Sequence, residues 1–145
     1  YFYGVLGWAI GGVAAVLDAT IVNNFVLHNT QWVPAHFHTY NLLGQIFFNL
    51  AFVVWFAEKV SGTPFSVGLS KSIFALLLLG GWGFVSMFYL AGTFSIPRRF
   101  NLYPPDLPLG TTLAKVAVVF ALLYLLGIIV FFFGASKRCI RAFSH

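Results

Sequence analysis

The stretch Pro34–Ala57, PAHFHTYNLLGQIFFNLAFVVWFA, decides the fold. It is long enough to cross the hydrocarbon core of a bilayer, which needs about 20 predominantly apolar residues. No water is available there to satisfy exposed backbone groups, so such a run is expected to be helical. Three further runs read the same way: Phe2–Leu27, Leu69–Gly92 and Thr112–Gly134. The breaks between them carry turn chemistry, Ser61-Gly62-Thr63-Pro64 in one case. Pro97 and Tyr103-Pro104-Pro105-Asp106-Leu107-Pro108 supply it in another. No internal repeat is visible. The expectation is an all-α membrane protein of about four transmembrane helices, a single membrane region across residues 1–145.

Composition supports this and excludes other classes. Of 145 residues, 60% are hydrophobic and only 8% charged. A soluble domain carries about a quarter charged residues, so this chain could not cover itself with a wettable surface. Four spans and short loops leave no room for a separate soluble domain. The net charge of +5 does not point to nucleic acid, because the basic residues are sparse and sit at span ends. Cys139 has no partner for an internal disulfide. Tyr1 opens directly into an apolar run without a charged leader or small-residue cleavage site, so no signal peptide is read. The expectation is a processed chain or one piece of a larger protein.

Basic residues also set an orientation. Lys59, Lys71, Lys137, Arg138 and Arg141 share one side, which the positive-inside rule makes cytoplasmic, with the carboxy terminus. The loops holding His28 and Arg98-Arg99 then face outwards. An arginine pair on that side implies a local anion. Asp106 cannot neutralise both, carboxylate-bearing cofactors suit arginine forks, and snorkelling at a span end also remains open.

The pair His36 and His38 lies near the outer end of span two. Ionisable groups inside a span are rare and point to function. At i and i+2 on a helix, two side chains leave about 200° apart, so they cannot grip one metal together. They can ligate two metals on opposite flanks, and haem iron accepts one protein imidazole per face. Hydrogen-bonded core histidines are the alternative, and the residues alone leave both open. Most of the aromatic residues, Phe131-Phe132-Phe133 among them, read as lipid-facing or packing groups, with Trp32 and Trp82 suited to an interface or cofactor edge.

The run His28-Asn29-Thr30-Gln31-Trp32-Val33-Pro34-Ala35-His36-Phe37-His38 resembles a signature of haem-copper oxygen reductase subunit I, at the junction of its ninth and tenth helices. Ile96-Pro97-Arg98-Arg99, with Tyr103-Pro104 downstream, resembles the loop after that family's eleventh helix. Trp32-Val33-Pro34 is most similar to the B-type branch. The resemblance covers essentially the whole chain, as the last four of about twelve helices.

Position by position, the resemblance implies His36 as proximal ligand of a high-spin, oxygen-reducing haem and His38 as one axial ligand of a low-spin haem. It places Phe37 between them on the electron path, Arg98 and Arg99 on haem propionates, and His28 near the propionates of the high-spin haem. Asn24 stands where the family usually has an acidic residue. Copper B needs three histidines, and only His28 and His145 remain here beyond the pair, so its ligands must lie outside this chain.

The implied activity is a terminal oxidase in a prokaryotic plasma membrane, taking electrons from quinol or cytochrome c and reducing dioxygen to water, with coupled proton translocation. Implied partners are the rest of subunit I, subunit II, small membrane subunits and membrane lipid. Rival readings are a nitric oxide reductase-like enzyme, a purely electron-transferring membrane haem protein, and a proton-handling transporter.

Overall fold

The computed structural model describes residues 1–143, with side-chain surroundings as far as Ile140; the Arg141 guanidinium and His145 lie outside the described residues. All regular elements are helical: α1 (Phe2–Ala19), α2 (Ile21–Leu27), α3 (Trp32–His38), a π-helical segment (Thr39–Gln45), α4 (Ile46–Ser61), α5 (Val67–Thr93) and α6 (Pro108–Phe143). Among the described residues, four helices are long and apolar enough to cross a membrane: Phe2–Ala19, Trp32–Ser61, Val67–Thr93 and Pro108–Ile140. The chain is therefore an all-α membrane protein.

The spans differ from their expected limits for physical reasons. Span one, expected to be continuous from Phe2 to Leu27, breaks at Thr20, which is extended at φ −69° and ψ 138°. The Thr20 hydroxyl donates to the Leu17 carbonyl (2.9 Å), giving a helix-end carbonyl a partner. Asp18 consequently lies in the last turn of α1, buried. Span two starts earlier, at Trp32, and runs on to Ser61, where Gly62 at φ 64° supplies the left-handed stop. Ser66 caps α5, its hydroxyl accepting from the Leu69 amide (3.3 Å). Span four continues helically to Phe143, well past the apolar run that ends near Gly134. Hydropathy marks the membrane edge, and the helix does not stop there.

Close approach of helices depends on glycine. A Cβ on Gly7 of α1 would lie 2.3 Å from the Leu43 carbonyl oxygen. One on Gly80 of α5 would lie 2.5 Å from the Tyr124 amide of α6, and one on Gly92 would lie 2.5 Å from the Trp32 amide. Membrane helices gain little from hydrophobic association among themselves, so small residues that admit backbone contact hold the bundle. The core between spans two, three and four is built from Leu43, Phe47, Leu50, Leu77, Val85 and Phe131.

At one end, α5's exit loop is tied to α3's entry loop. The Gln31 amide donates to the Ile96 carbonyl and the Arg98 amide to the Asn29 carbonyl, both at 2.9 Å, around an antiparallel bridge between Thr30 and Pro97. At the other end, Arg138 donates to the carbonyls of Thr63 (3.1 Å) and Pro64 (2.6 Å). Its guanidinium also lies over the Phe65 ring at 4.3 Å. Lys59 and Lys71 share that end, while Arg98 and Arg99 are at the opposite one.

Candidate functional site

Span two lies between α1 on one side and α5 with α6 on the other, and its two histidines divide between those sides. His38 faces α5 and α6. Its ring is parallel to Phe88 (5.7 Å between centroids, 5°) and edge-on to Phe84 (5.4 Å, 68°). A cavity of about 300 Å³ opens beside it, with Leu42, Phe84, Ala121, Tyr124 and Leu125 among its walls.

The His38 Nδ1 lies 2.6 Å from the Pro34 carbonyl oxygen. A carbonyl can only accept, so this hydrogen bond places the ring proton on Nδ1 and leaves the Nε2 lone pair free. This is the arrangement that prepares an imidazole for metal ligation.

His36 has different neighbours. Its ring is edge-on to Tyr40 (6.4 Å, 83°), and Tyr40 in turn meets Trp8 of α1 (5.5 Å, 79°). The His36 Nδ1 is buried without a hydrogen-bond partner. A buried unpaired ring nitrogen costs on the order of 1–3 kcal/mol, a strain that native proteins retain where a further group completes the site. Phe37, 59% exposed, meets His38 edge-on (5.8 Å between centroids, 89°). No group of three or more His, Cys, Asp or Glu residues is placed to hold a metal ion among the described residues. Single-imidazole ligation is what this histidine pair can offer.

Arg98 and Arg99 are brought to the same end as the histidines by the paired loops. Tyr103 fixes that loop: its hydroxyl donates to the Pro97 carbonyl (2.9 Å) and accepts from the Gln31 amide side chain (2.5 Å). Arg98 Nε is buried without a partner. Arg99 adopts φ 70° and Ser95 φ 56°, a left-handed conformation uncommon outside glycine. Such conformations persist where surrounding contacts impose them, as the paired loops do here. His28 is exposed at the end of α2, next to Asn29, whose carbonyl holds Arg98. Asn24 donates from Nδ2 to the Asp18 carbonyl (3.1 Å), bridging the break at Thr20.

Residues missed in the sequence are the walls of these sites. Phe84 and Phe88 sit four apart on α5, a spacing that could have marked one face. Tyr40, Tyr124 and the Pro34 carbonyl carried no signal, because their roles depend on contacts between elements.

Comparison with known proteins gives a consistent picture. A family model described as cytochrome c and quinol oxidase polypeptide I matches residues 1–130. Cytochrome c oxidase subunit 1 of Thermus thermophilus is 28% identical over 145 residues, covering 90% of this chain and 24% of that protein. The probable quinol oxidase subunit 1 of Staphylococcus aureus is 30% identical over 135 residues, covering 89% of this chain and 20% of that protein. The chain thus spans between a fifth and a quarter of the length of these relatives.

Proposed function

Since the chain belongs to the cytochrome c and quinol oxidase polypeptide I family, the haem-copper oxidase subunit I family, we propose that it forms the haem-ligating carboxy-terminal part of a terminal oxidase. The observation that carries this reading is the division of His36 and His38 between opposite flanks of one span, with His38 Nε2 left free by the bond to Pro34. The orphaned His36 Nδ1, the cavity beside His38 and the unpartnered Arg98 Nε are what a chain prepared for two haems would present.

When bound, low-spin haem, high-spin haem and copper B together supply electron transfer and the reduction of dioxygen to water. This chain's residues bind and orient. His38 offers Nε2 into the cleft between α5 and α6, with Phe84 and Phe88 fixing the plane of its ring. His36 offers its imidazole on the α1 side, as ligand of the oxygen-reducing haem. Phe37, between the two in sequence, lies on the electron path from one to the other. Arg98 and Arg99 hold propionate charge, and His28 stands beside them at the same surface. Copper B is ligated by residues outside this chain.

In the assembled complex the partners are the rest of subunit I, subunit II and small membrane subunits, with membrane lipid around them. Electrons come from cytochrome c or quinol, the two donors that the relatives' names mention, and turnover drives proton translocation. Trp32-Val33-Pro34 before His36 supports the B-type branch. Lys59, Lys71 and Arg138 at one end support a cytoplasmic carboxy terminus in a prokaryotic plasma membrane.

A reduced-minus-oxidised spectrum of the purified complex, taken with and without carbon monoxide, tests the reading. A high-spin haem that binds carbon monoxide beside a low-spin haem that does not is expected. Low-spin signals alone would support the electron-transfer reading instead, non-haem iron in place of copper the nitric oxide reductase reading, and absence of a Soret band the transporter.

A further inference from the structure

Span two carries a second polar feature. Asn41, Gln45 and Asn49 recur at four-residue intervals, starting one turn beyond Phe37. Gln45 Nε2 donates to Asn49 Oδ1 (3.1 Å), and Asn41 Nδ2 donates to the Phe37 carbonyl (3.1 Å). Gln45 and Asn49 are exposed and Asn41 half-buried, on the face turned away from the buried Leu43, Phe47 and Leu50. A lipid-facing carboxamide leaves donors and acceptors unsatisfied at a cost of several kcal/mol, so such groups face a bundle interior or a water-filled cavity.

Two observations favour water over a dry helix partner. After the bonds just named, Asn41, Gln45 and Asn49 each retain at least one free hydrogen-bonding site. Donor and acceptor sites both remain along the ladder, which suits a molecule that serves as both. The ladder also crosses from π winding (Thr39–Gln45) into the α winding of α4, so its three residues do not follow one regular helical stripe. Nearer the Lys59 end the same side of the span turns apolar, with the Phe52 ring tilted against Trp55 (5.8 Å between centroids, 35°) and stacked on Phe56 (6.4 Å, 20°).

We propose that Asn41, Gln45 and Asn49 line a hydrated seam, on the order of 10 Å long at the rise of a helix, through which protons reach the level of His36 and His38. Its destination rests on the haem-ligating reading above; its hydration does not. The amides do not change protonation state. They hold waters in a hydrogen-bonded file, along which protons hop to the site where one dioxygen takes up four electrons and four protons to give two waters.

The test uses the assembled complex with Cys139→Ser as background and single cysteines at Asn41, Gln45 and Asn49. Leu122→Cys, an exposed apolar position of α6, is the control. All three seam positions are expected to react with a charged, water-borne thiosulfonate about tenfold faster than the control, the difference between a wet and a dry site. Reaction at the control rate, or only with a membrane-soluble maleimide, would mean a dry helix contact and overturn the proposal, whatever the haem content. In the second arm, Gln45→Leu is expected to slow proton uptake during oxygen reduction about tenfold, equivalent to about 1.4 kcal/mol of barrier, with the haem spectra unchanged. Unchanged uptake overturns the role in proton delivery. If Gln45→Leu does not assemble, the labelling arm decides alone.

Discussion

His38 shows how a backbone carbonyl selects a tautomer. With the proton held on Nδ1 by Pro34, Nε2 is the nitrogen left for the ligation proposed above, and the Phe84 and Phe88 rings limit rotation about the side chain. Phe88→Ala should therefore loosen the ring without removing the ligand. The low-spin haem signal should broaden or shift in electron paramagnetic resonance, while carbon monoxide binding stays at the parental level. An unchanged spectrum would show that the stacking does not orient the imidazole. Arg98 makes the complementary case for charge. Its guanidinium is half-buried with Nε unpaired, and a nearby cation stabilises a more electron-rich haem. Arg98→Gln should lower the reduction potential of the haem whose propionate it is proposed to hold by on the order of 50 mV, judged from about 1 kcal/mol for one partly screened charge. Redox titration reads this directly.

Span two is the element on which the site depends, and its winding changes just after His38. Within the π segment the Leu42 carbonyl is turned towards α6 and accepts a hydrogen bond from the Tyr124 hydroxyl at 2.7 Å. Thr39, fully buried, donates to the Ala35 carbonyl and pairs with the Tyr89 hydroxyl at 3.1 Å. π turns are rare and concentrate at functional sites, where one extra residue re-aims the side chains around it. Tyr124→Phe removes the bond to Leu42 and should destabilise the complex by about 0.5–1.5 kcal/mol, the range for interhelical bonds in membranes. A lower midpoint of thermal haem loss would show it; equal midpoints would mean that packing alone maintains the π turn. The length and helicity of this span were legible from Pro34–Ala57, because apolar run length maps onto membrane thickness. The π turn was not, since it is stabilised by a tyrosine on a helix about 80 residues away. The break at Thr20 was equally hidden, as neither glycine nor proline marks it. His36 and His38 stood out because imidazole is costly in a span, and Arg98 and Arg99 because a basic pair on the outer side calls for an anion, whereas the cavity walls are ordinary apolar residues until the helices meet.

At the scale of the whole chain, glycine at helix contacts sets how closely the spans approach, and so the width of the cleft beside His38. Gly80→Val would drive Cβ into the Tyr124 backbone, and overpacking of this kind costs about 1–3 kcal/mol. Less assembled complex should be recovered from membranes, with low-spin haem lost in proportion; full recovery would mean that α5 and α6 separate without harm. The faces left open, Leu122, Ile129 and Phe133 on α6 among them, are what a membrane segment buries against lipid or the rest of its subunit. The central claim is that one span serves two haems from opposite sides, and the paired variants His36→Ala and His38→Ala test it most directly. In reduced-minus-oxidised spectra of the intact complex, His36→Ala is expected to abolish carbon monoxide binding while part of the low-spin haem assembles, and His38→Ala to do the reverse. Identical losses from the two variants would contradict it.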